Sequence, residues 1–441
     1  VLTYEDVTNV DSVGLITARA GVNLVGNDLN VGSNIKIGNA SGIVTATSFR
    51  GDASQMTGAG LGTDGSANTS GIITATAFVS DTPLSHRNVI VNGDAKISQR
   101  SAAQGSITSG GYYAVDRWYV TMDTAGTWTM YQDADVPSGY GFSKSVSLDV
   151  NTANTSLSAG SRAMLSYRLE GQDVQRFCKG TANAKKYALS FWVKCGKTGT
   201  YVLELFDHDN SRHICKTYTI SSANTWEQKK LIFDNETSNA FGNDNGKSLE
   251  LQFYLAAGSN FTSGTLATSW ASNTNANRAV GQVNVADSTS NKYFLTGVQL
   301  EVGPVVTPFE HRSFGDELAR CQRYYIQYGG VNGSLGRFPM MGECPTTTTA
   351  QYVLQFPVAM RGGGNVTLTH NGTVSDYLIY TANVSRTSTG IALADTLKYG
   401  FGDVFGCRVN LSRSNGDLVA GRGVQGYSSN STGFLGFSRE L

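Results

Sequence analysis

The sequence predicts an all-β protein: a repetitive β-stalk, an antiparallel jelly-roll sandwich, one short linking helix and a C-terminal β-sandwich. Three observations predict this fold class. Short segments alternate apolar and polar residues with the period of a β-strand. The 441 residues include 51 glycines and only 15% charged residues, a composition typical of many strands joined by tight turns. Residues 313–325 show helical spacing after a capping residue.

The overall composition excludes several functional classes. Lys+Arg and Asp+Glu are both 34, so the net charge is +0, and nucleic-acid binding through a basic surface is not expected. No apolar stretch reaches the roughly 18 residues of a transmembrane helix, so we expect no membrane insertion. The six cysteines form no CxxC pair, which predicts buried free thiols. We predict no cofactor.

Residues 1–85 contain a repeat and form the predicted stalk. The segments VGLITARA, SGIVTATSF and SGIITATAF begin at Val13, Ser41 and Ser70. Each unit is too short to bury an apolar face alone, so it must stack on neighbours or on copies in other chains. We expect an intertwined homotrimeric β-structure; the alternative is a solvated low-complexity linker. The chain begins with Val1 instead of Met, so we expect further sequence before it.

Residues 86–312 carry the clearest strand patterns and form the predicted jelly roll. Four segments alternate between two faces. One face of each segment carries, in chain order, Tyr187, Leu189, Phe191 and Val193; Tyr201, Leu203 and Leu205; Leu249, Leu251, Phe253 and Leu255; and Phe294, Thr296, Val298 and Leu300.

The second face of three of these strands mixes rings with hydrogen-bonding groups. If the strands are neighbours, this face is a platform on which sugar rings stack and to which sugar hydroxyls hydrogen-bond. The alternative is that the rings pack beneath loops. The candidate ligand-binding residues on this face are Trp192, Glu204, Phe206, Gln252 and Tyr254.

Other candidate sites in this region are weaker. Tyr112 and Trp118 belong to an aromatic cluster that forms either a binding rim or the end of the core. The segment Asp207–His213 is interpreted as a polar hairpin turn, with a metal site as the alternative. Glu204 and Glu250 are a conceivable carboxylate pair for glycoside cleavage, but no pattern supports it. We predict no catalytic residues and no metal.

Residues 313–441 form the predicted helix and terminal β-sandwich. Ser313 is expected to cap a helix whose third position is Asp316, with Leu318, Cys321 and Tyr325 on one face. Pro304 and Pro308 precede the helix and make it a rigid joint.

Several segments resemble known families. The strands KYALSFWVKCGKTGTYVLELFD, from Lys186, resemble those of jelly-roll carbohydrate-binding modules. The segments RNVIVNGDAKISQR, YYAVDRWYV and FLTGVQLEVGPVVTPFEHRSFGDELARCQRYY together resemble a domain of bacteriophage tail fibres, particularly of marine and cyanobacterial phages. The GIVTATSF repeats resemble the stalk repeats of those proteins.

This resemblance implies a structural and adhesive virion protein. Its expected form is a homotrimeric tail fibre, assembled in the host cytoplasm, that contacts other virion proteins through its N-terminal side and binds host cell-surface polysaccharide. In the resembling proteins the terminal region is often the distal tip, which implies host contact at the loops 329–337 and 361–365; alternatively these loops only cap the trimer. No catalytic motif is implied, so we expect no enzymatic activity. Two alternatives remain: a purely structural capsid or neck fibre without receptor binding, and a polysaccharide-degrading tailspike.

Overall fold

The structure is a computed structural model. It describes residues 29–31, 35–37, 44–46, 85–329, 337–362, 366–381, 384–398, 404–430 and 433–441. The chain divides into two compact units, Val1–Phe78 and Val79–Leu441. The all-β prediction is confirmed, because the described elements are nearly all antiparallel strands. No helix in the described ranges has the length and apolar character needed to cross a membrane.

The first unit contributes one small antiparallel sheet, formed by β1 (Leu29–Val31), β2 (Ile35–Ile37) and β3 (Val44–Ala46) in that order. Strand β3 coincides with the second predicted repeat. The other repeats lie outside the described residues, and the intertwined trimer stays a prediction.

A sandwich of two antiparallel sheets forms the first part of the second unit. Its strands are β4 (Ala103–Ile107), β5 (Gly111–Tyr112), β6 (Trp118–Asp123), β7 (Thr127–Asp133), β8 (Ser145–Thr152), β9 (Arg162–Glu170), β10 (Tyr187–Cys195), β11 (Gly199–Asp207), β12 (Arg212–Ile220), β13 (Glu227–Phe233), β14 (Lys247–Ala257), β15 (Ala271–Ser272) and β16 (Lys292–Val302). The six-stranded sheet has the order β13-β10-β16-β8-β7-β4, and the seven-stranded sheet has the order β15-β12-β11-β14-β9-β6-β5. Two short helices, α1 (Gly171–Val174) and α2 (Ser259–Thr262), and 3₁₀ turns at Gln175–Phe177, Asn275–Asn277 and Val285–Asp287 connect the strands.

The core between these sheets follows the predicted alternation in three of the four segments. The predicted apolar faces of β10, β11 and β14 are fully buried in one cluster. Phe191 of one sheet contacts Phe253 of the other edge-to-face, with ring centroids 5.2 Å apart. Each strand buries alternate residues here because successive side chains point to opposite faces.

The alternation in β16 was predicted wrongly. Phe294 and Thr296 were placed on one face with Val298 and Leu300, but Tyr293 and Leu295 join Val298 and Leu300 in the core. The register between β16 and β10 shifts at this point, and Gly297 has a left-handed φ of 62°. A β-bulge inserts one extra residue, so it exchanges the two faces of the strand beyond it.

The predicted helix is confirmed as α3 (Phe314–Gln322), with the Ser313 hydroxyl accepting a hydrogen bond from the Asp316 amide at 3.2 Å. Cys321 is buried and Leu318 is half-buried. Tyr325 does not share the helical face, because the helix ends before it and Tyr325 begins the next strand.

Strand β16 and the residues after it hold the start of the first sandwich in place. The Asn88 side chain donates to the Val298 carbonyl at 3.0 Å and accepts from the Leu300 amide at 3.1 Å. The Arg312 guanidinium donates to the Ile90 carbonyl at 2.9 Å. Glu317 of α3 accepts from the Asn92 amide. The segment around Asn88 is therefore held by residues more than 200 positions later.

A second sandwich follows α3. Its strands are β17 (Tyr325–Gly329), β18 (Arg337–Glu343), β19 (Thr349–Met360), β20 (Thr367–His370), β21 (Tyr377–Thr381), β22 (Val384–Thr387), β23 (Gly390–Lys398), β24 (Val404–Ser412), β25 (Gly423–Ser428) and β26 (Phe434–Ser438), with a 3₁₀ turn at Val374–Asp376. Strands β17-β26-β20 form one sheet and β22-β21-β25-β18-β19-β24-β23 the other, around a separate core. The predicted host-contact loops lie largely outside the described residues.

The two sandwiches contact each other through polar groups. The Arg323 guanidinium and the Tyr324 hydroxyl both donate to the Glu170 carboxylate, at 3.0 Å and 2.5 Å. The Arg117 guanidinium donates to Glu440 at 2.6 Å. These charge-assisted bonds link the terminal sandwich directly to the first one.

Candidate functional site

The candidate site is a groove of about 200 Å³ on the outer face of the seven-stranded sheet. We call it the sheet groove. Its lining residues come from β6, β9, β11 and β14 and from the loops after β11 and β15: Thr121, Arg162, Met164, Arg168, Phe206, His208, Glu250, Gln252 and Arg278.

Strand register explains why these side chains converge. Phe206 of β11 lies opposite Glu250 of β14. Glu250 in turn lies opposite Arg168 of β9. Glu204 lies opposite Gln252. Because one sheet face carries alternate residues of each strand, the face opposite the core collects these polar and aromatic groups.

A buried network fixes one end of the groove. Glu204 is fully buried and accepts hydrogen bonds from Arg278 Nε at 3.0 Å, His213 Nδ1 at 2.7 Å and the Tyr254 hydroxyl at 3.1 Å. Arg278 Nη2 also donates to the Gln252 side-chain oxygen at 2.8 Å. The network thus holds the Arg278 guanidinium and the Gln252 amide in fixed positions at the groove surface.

The opposite end contains a second ion pair. Arg168 Nε donates to Glu250 Oε1 at 3.1 Å, and His208 Nε2 lies 2.7 Å from Glu250 Oε2. The Phe206 ring lies between the two ends, 4.6 Å from the His208 ring and 4.9 Å from the Arg278 guanidinium carbon. The groove therefore contains one largely buried aromatic ring, 8% exposed, flanked by hydrogen-bonding groups.

Neither Glu204 nor Glu250 has the raised pKa that a general acid needs. Burial alone would raise the pKa of Glu204, but the His213 hydrogen bond and Arg278 hold it below its usual value. Burial would likewise raise the pKa of Glu250, but the His208 hydrogen bond and Arg168 lower it strongly. Glycoside cleavage needs a general acid whose pKa is raised. The suggested pair Glu204 and Glu250 lacks this property.

Four of the predicted platform residues lie together, but Trp192 does not join them. Glu204, Phe206, Gln252 and Tyr254 share the outer face of the seven-stranded sheet, with Glu204 and Tyr254 fully enclosed beneath it. Trp192 belongs to β10, which pairs with β13 and β16 in the other sheet. The condition for the platform, that the three strands are neighbours, is therefore not met by β10, and Trp192 is not part of it.

Trp192 instead forms a separate aromatic pair. Its ring centroid lies 4.3 Å from that of Tyr140, which is 55% exposed. This pair lies on the outer face of the six-stranded sheet, so it is on the opposite side of the sandwich from the sheet groove.

The two remaining candidates differ in position. Trp118 is fully buried in the core, with its indole nitrogen donating to the Asn92 carbonyl at 3.1 Å, so it does not form a binding rim. Tyr112 lies on the edge strand β5 of the seven-stranded sheet, 5.1 Å from Tyr119 between ring centroids. Its hydroxyl donates to the Leu441 carbonyl at 2.9 Å.

Sequence reasoning missed several groove residues. The segment RAMLSYRLE alternates and would have placed Arg162 and Arg168 on the outer face of one strand. Arg278 follows a 3₁₀ turn in an irregular segment, and no periodicity indicates its position.

The described groups that could hold a metal already have protein partners. In the predicted polar turn, Asp207 accepts from the Asp209 and Asn210 amides and pairs with Lys179 at 2.7 Å. Glu204, His213 and Cys215 also form a buried cluster. Burial raises the pKa of the Cys215 thiol, and Arg278 already neutralises Glu204. A cysteine binds zinc as its thiolate, and both Cys215 and Glu204 are therefore poor zinc ligands in this cluster.

A scan against protein-family models finds no match, and a search of the curated proteins finds none either. Among 46 similar solved chains, one is the enzymatically active domain of tailspike protein 4 from bacteriophage CBA120 (16% identity, 49% of this chain, TM-score 0.27). This chain spans about a fifth of that tailspike's length, since the match covers 21% of it.

Two other similar structures are carbohydrate-binding modules. One is TmCBM61 in complex with β-1,4-galactotriose (11% identity, 49% of this chain, 99% of that chain, TM-score 0.25). The other is a family 11 module from Clostridium thermocellum in complex with a β-1,3-1,4-mixed-linked tetrasaccharide (10% identity, 48% of this chain, 99% of that chain, TM-score 0.24). At these identities and TM-scores, the similarity does not assign a function to this chain.

Proposed function

We propose that this chain is a non-catalytic, glycan-binding fibre protein of a phage virion, and that the sheet groove binds the glycan. The observation that carries the proposal is the arrangement of Phe206, Gln252 and Arg278 within one groove. An apolar ring beside fixed amide and guanidinium groups suits a sugar, whose C–H faces pack on rings and whose hydroxyls accept and donate hydrogen bonds.

The electrostatics of the groove support binding without cleavage. Glu204 is enclosed by Arg278, His213 and Tyr254, and the pKa of Glu250 is lowered by the His208 hydrogen bond and by Arg168 against the effect of burial. A tailspike enzyme needs one carboxylic acid that stays protonated near neutral pH. These two carboxylates stay ionised instead, so they position arginine side chains.

The place on the virion rests on the sequence resemblance of residues 294–325 and of the GIVTATSF repeats to phage tail-fibre proteins. A homotrimer attached to other virion proteins through its N-terminal side would present three grooves. Simultaneous binding of several weak sites raises the overall affinity without new contacts, so a shallow groove suffices for adhesion. A monomer mass in light scattering of the purified chain would contradict the trimer.

The binding test uses host-envelope polysaccharide and a groove-filling variant. Thr121→Trp places an indole in the groove of about 200 Å³ and should weaken binding by about tenfold or more. Thr217→Trp is the matched control, because Thr217 is an exposed residue of the same sheet outside the groove lining. If Thr121→Trp binds the polysaccharide as tightly as Thr217→Trp does, the groove assignment is refuted.

Two further measurements distinguish glycan adhesion from polysaccharide cleavage and from a purely structural role. New reducing ends released from the polysaccharide would show catalysis and refute the adhesion proposal. Competition between the purified chain and phage for adsorption to host cells should reduce adsorption; no competition at saturating protein favours a purely structural fibre.

A further inference from the structure

We propose a second saccharide site, separate from the sheet groove, in a cleft between the two sandwiches. The cleft encloses about 570 Å³. One wall comes from β4 and β5 of the first sandwich, and the other comes from β17, β20 and β26 of the second. We call it the junction cleft, and its proposed ligand class is an uncharged oligosaccharide.

The lining of the junction cleft combines rings with neutral hydrogen-bonding groups. Tyr112, Tyr113 and Phe434 are half-buried rings on its walls, and Gln104 and Thr369 are exposed polar residues beside them. None of its described lining residues carries a carboxylate. Rings that cover C–H surfaces and amides or hydroxyls that meet sugar hydroxyls are the groups with which proteins bind neutral saccharides.

The positive charge of the lining residue Arg100 is already balanced by two carboxylates. Arg100 pairs with Glu440 at 3.1 Å and with Asp116 at 3.4 Å. Its guanidinium carbon also lies 3.6 Å from the centroid of the Tyr325 ring. An anionic sugar would have to compete with these two carboxylates, so the cleft favours a ligand without charge.

Several contacts fix the walls before any ligand arrives. The Tyr325 hydroxyl donates to the Gln327 side-chain oxygen at 2.6 Å, and the Tyr113 hydroxyl donates to the Ser109 carbonyl at 3.0 Å. Gly436 allows Tyr325 and Thr369 to approach each other, because a Cβ there would lie 2.5 Å from both side-chain oxygens. A preformed site loses little conformational entropy on binding.

Both sandwiches supply lining residues, so a bound ligand contacts both. The Tyr112 hydroxyl bond to the Leu441 carbonyl and the Arg117–Glu440 pair already join the two walls. A ligand that binds only when the walls are joined stabilises the joined arrangement by mass action.

The test measures binding of defined oligosaccharides to the full chain by calorimetry and ligand-observed NMR. The probes are cellohexaose, laminarihexaose and mannohexaose as neutral ligands and hexagalacturonate as the anionic comparison. We expect at least one neutral probe to bind with a Kd below about 5 mM and more tightly than hexagalacturonate. Failure of every neutral probe, or tighter binding of hexagalacturonate, overturns the proposal.

Variants locate the binding site of that probe. Gln104→Ala and Thr367→Trp change exposed lining residues and should weaken binding by about fivefold or more, while Thr121→Trp in the sheet groove and Thr217→Trp on the sheet surface leave it unchanged. Loss of binding in Thr121→Trp with no effect of Gln104→Ala overturns the junction cleft and supports the groove. The two proposals can therefore fail separately.

Discussion

Replacing Glu204 with Gln should destabilise the first sandwich severely. The variant keeps the side-chain size but leaves the Arg278 guanidinium, 7% exposed, without its buried counterion. Breaking a buried ion pair by removing one partner costs about 3–5 kcal/mol. The new amide has one acceptor oxygen where Glu204 has two, so it cannot accept all the hydrogen bonds that Arg278, Tyr254 and His213 make to the carboxylate.

Urea unfolding followed by tryptophan fluorescence measures this change in the right region. All five tryptophans lie between residues 118 and 270, so their emission reports on the first sandwich. Asp234→Asn is the control, because its pair with Lys186 has side chains 54% and 45% exposed and exposed pairs contribute about 0–1 kcal/mol. A loss below about 1 kcal/mol in Glu204→Gln would show that the network does not hold the groove.

The pH dependence gives a second check on the same variant. The folded-state pKa of Glu204 lies below its usual 4.5, because the His213 hydrogen bond and Arg278 overcome the effect of burial. Its contribution to stability is therefore complete above pH 4.5 and is lost as the pH falls through the lowered value. The difference between wild type and Glu204→Gln should shrink in acid. A difference that grows in acid would contradict the assignment.

Three more predictions use the same unfolding assay or hydrogen exchange. Burial raises the pKa of Asp116 to about 6 from 3.8, so the free energy of unfolding falls as the pH rises between these two values. Asp116→Asn should remove this dependence, which urea midpoints measured at about pH 4 and about pH 7 would show. Gly297→Ala should cost about 1–2 kcal/mol or more, because φ is 62° and the added Cβ would lie 2.5 Å from the Phe142 ring; an unchanged urea midpoint would contradict the bulge. Ser313→Ala should cost about 1 kcal/mol and speed exchange of the Asp316 amide; unchanged exchange would contradict the cap.

The sequence predicted the core-facing residues of β10, β11 and β14, but not which strands are neighbours. Trp192 and Glu204 both lie on the polar faces of their strands, as the alternation indicates. Their strands pair in different sheets, because pairing depends on contacts between segments far apart in the chain. Local periodicity does not contain that information.

The alternation of apolar and polar residues also failed to predict two local features. Gly297 adds a bulge that reverses the alternation of β16, and a strand pattern that contains one glycine does not show whether a bulge is present. Arg278 reaches the sheet groove from an irregular segment. By contrast, the cap at Ser313 was predictable because capping depends only on residues within one turn.

The closure of the first sandwich by later residues has a consequence for its synthesis. The Asn92 amide is bonded by Glu317, 225 positions later. At about 5–20 residues per second, translation of that interval takes roughly 10–45 s. During this time the ribosome-bound chain cannot complete its first sandwich, and the apolar faces of β10, β11 and β14 have no finished core to enter. Nascent chains of this protein should therefore expose these apolar faces until β16 and α3 have left the exit tunnel.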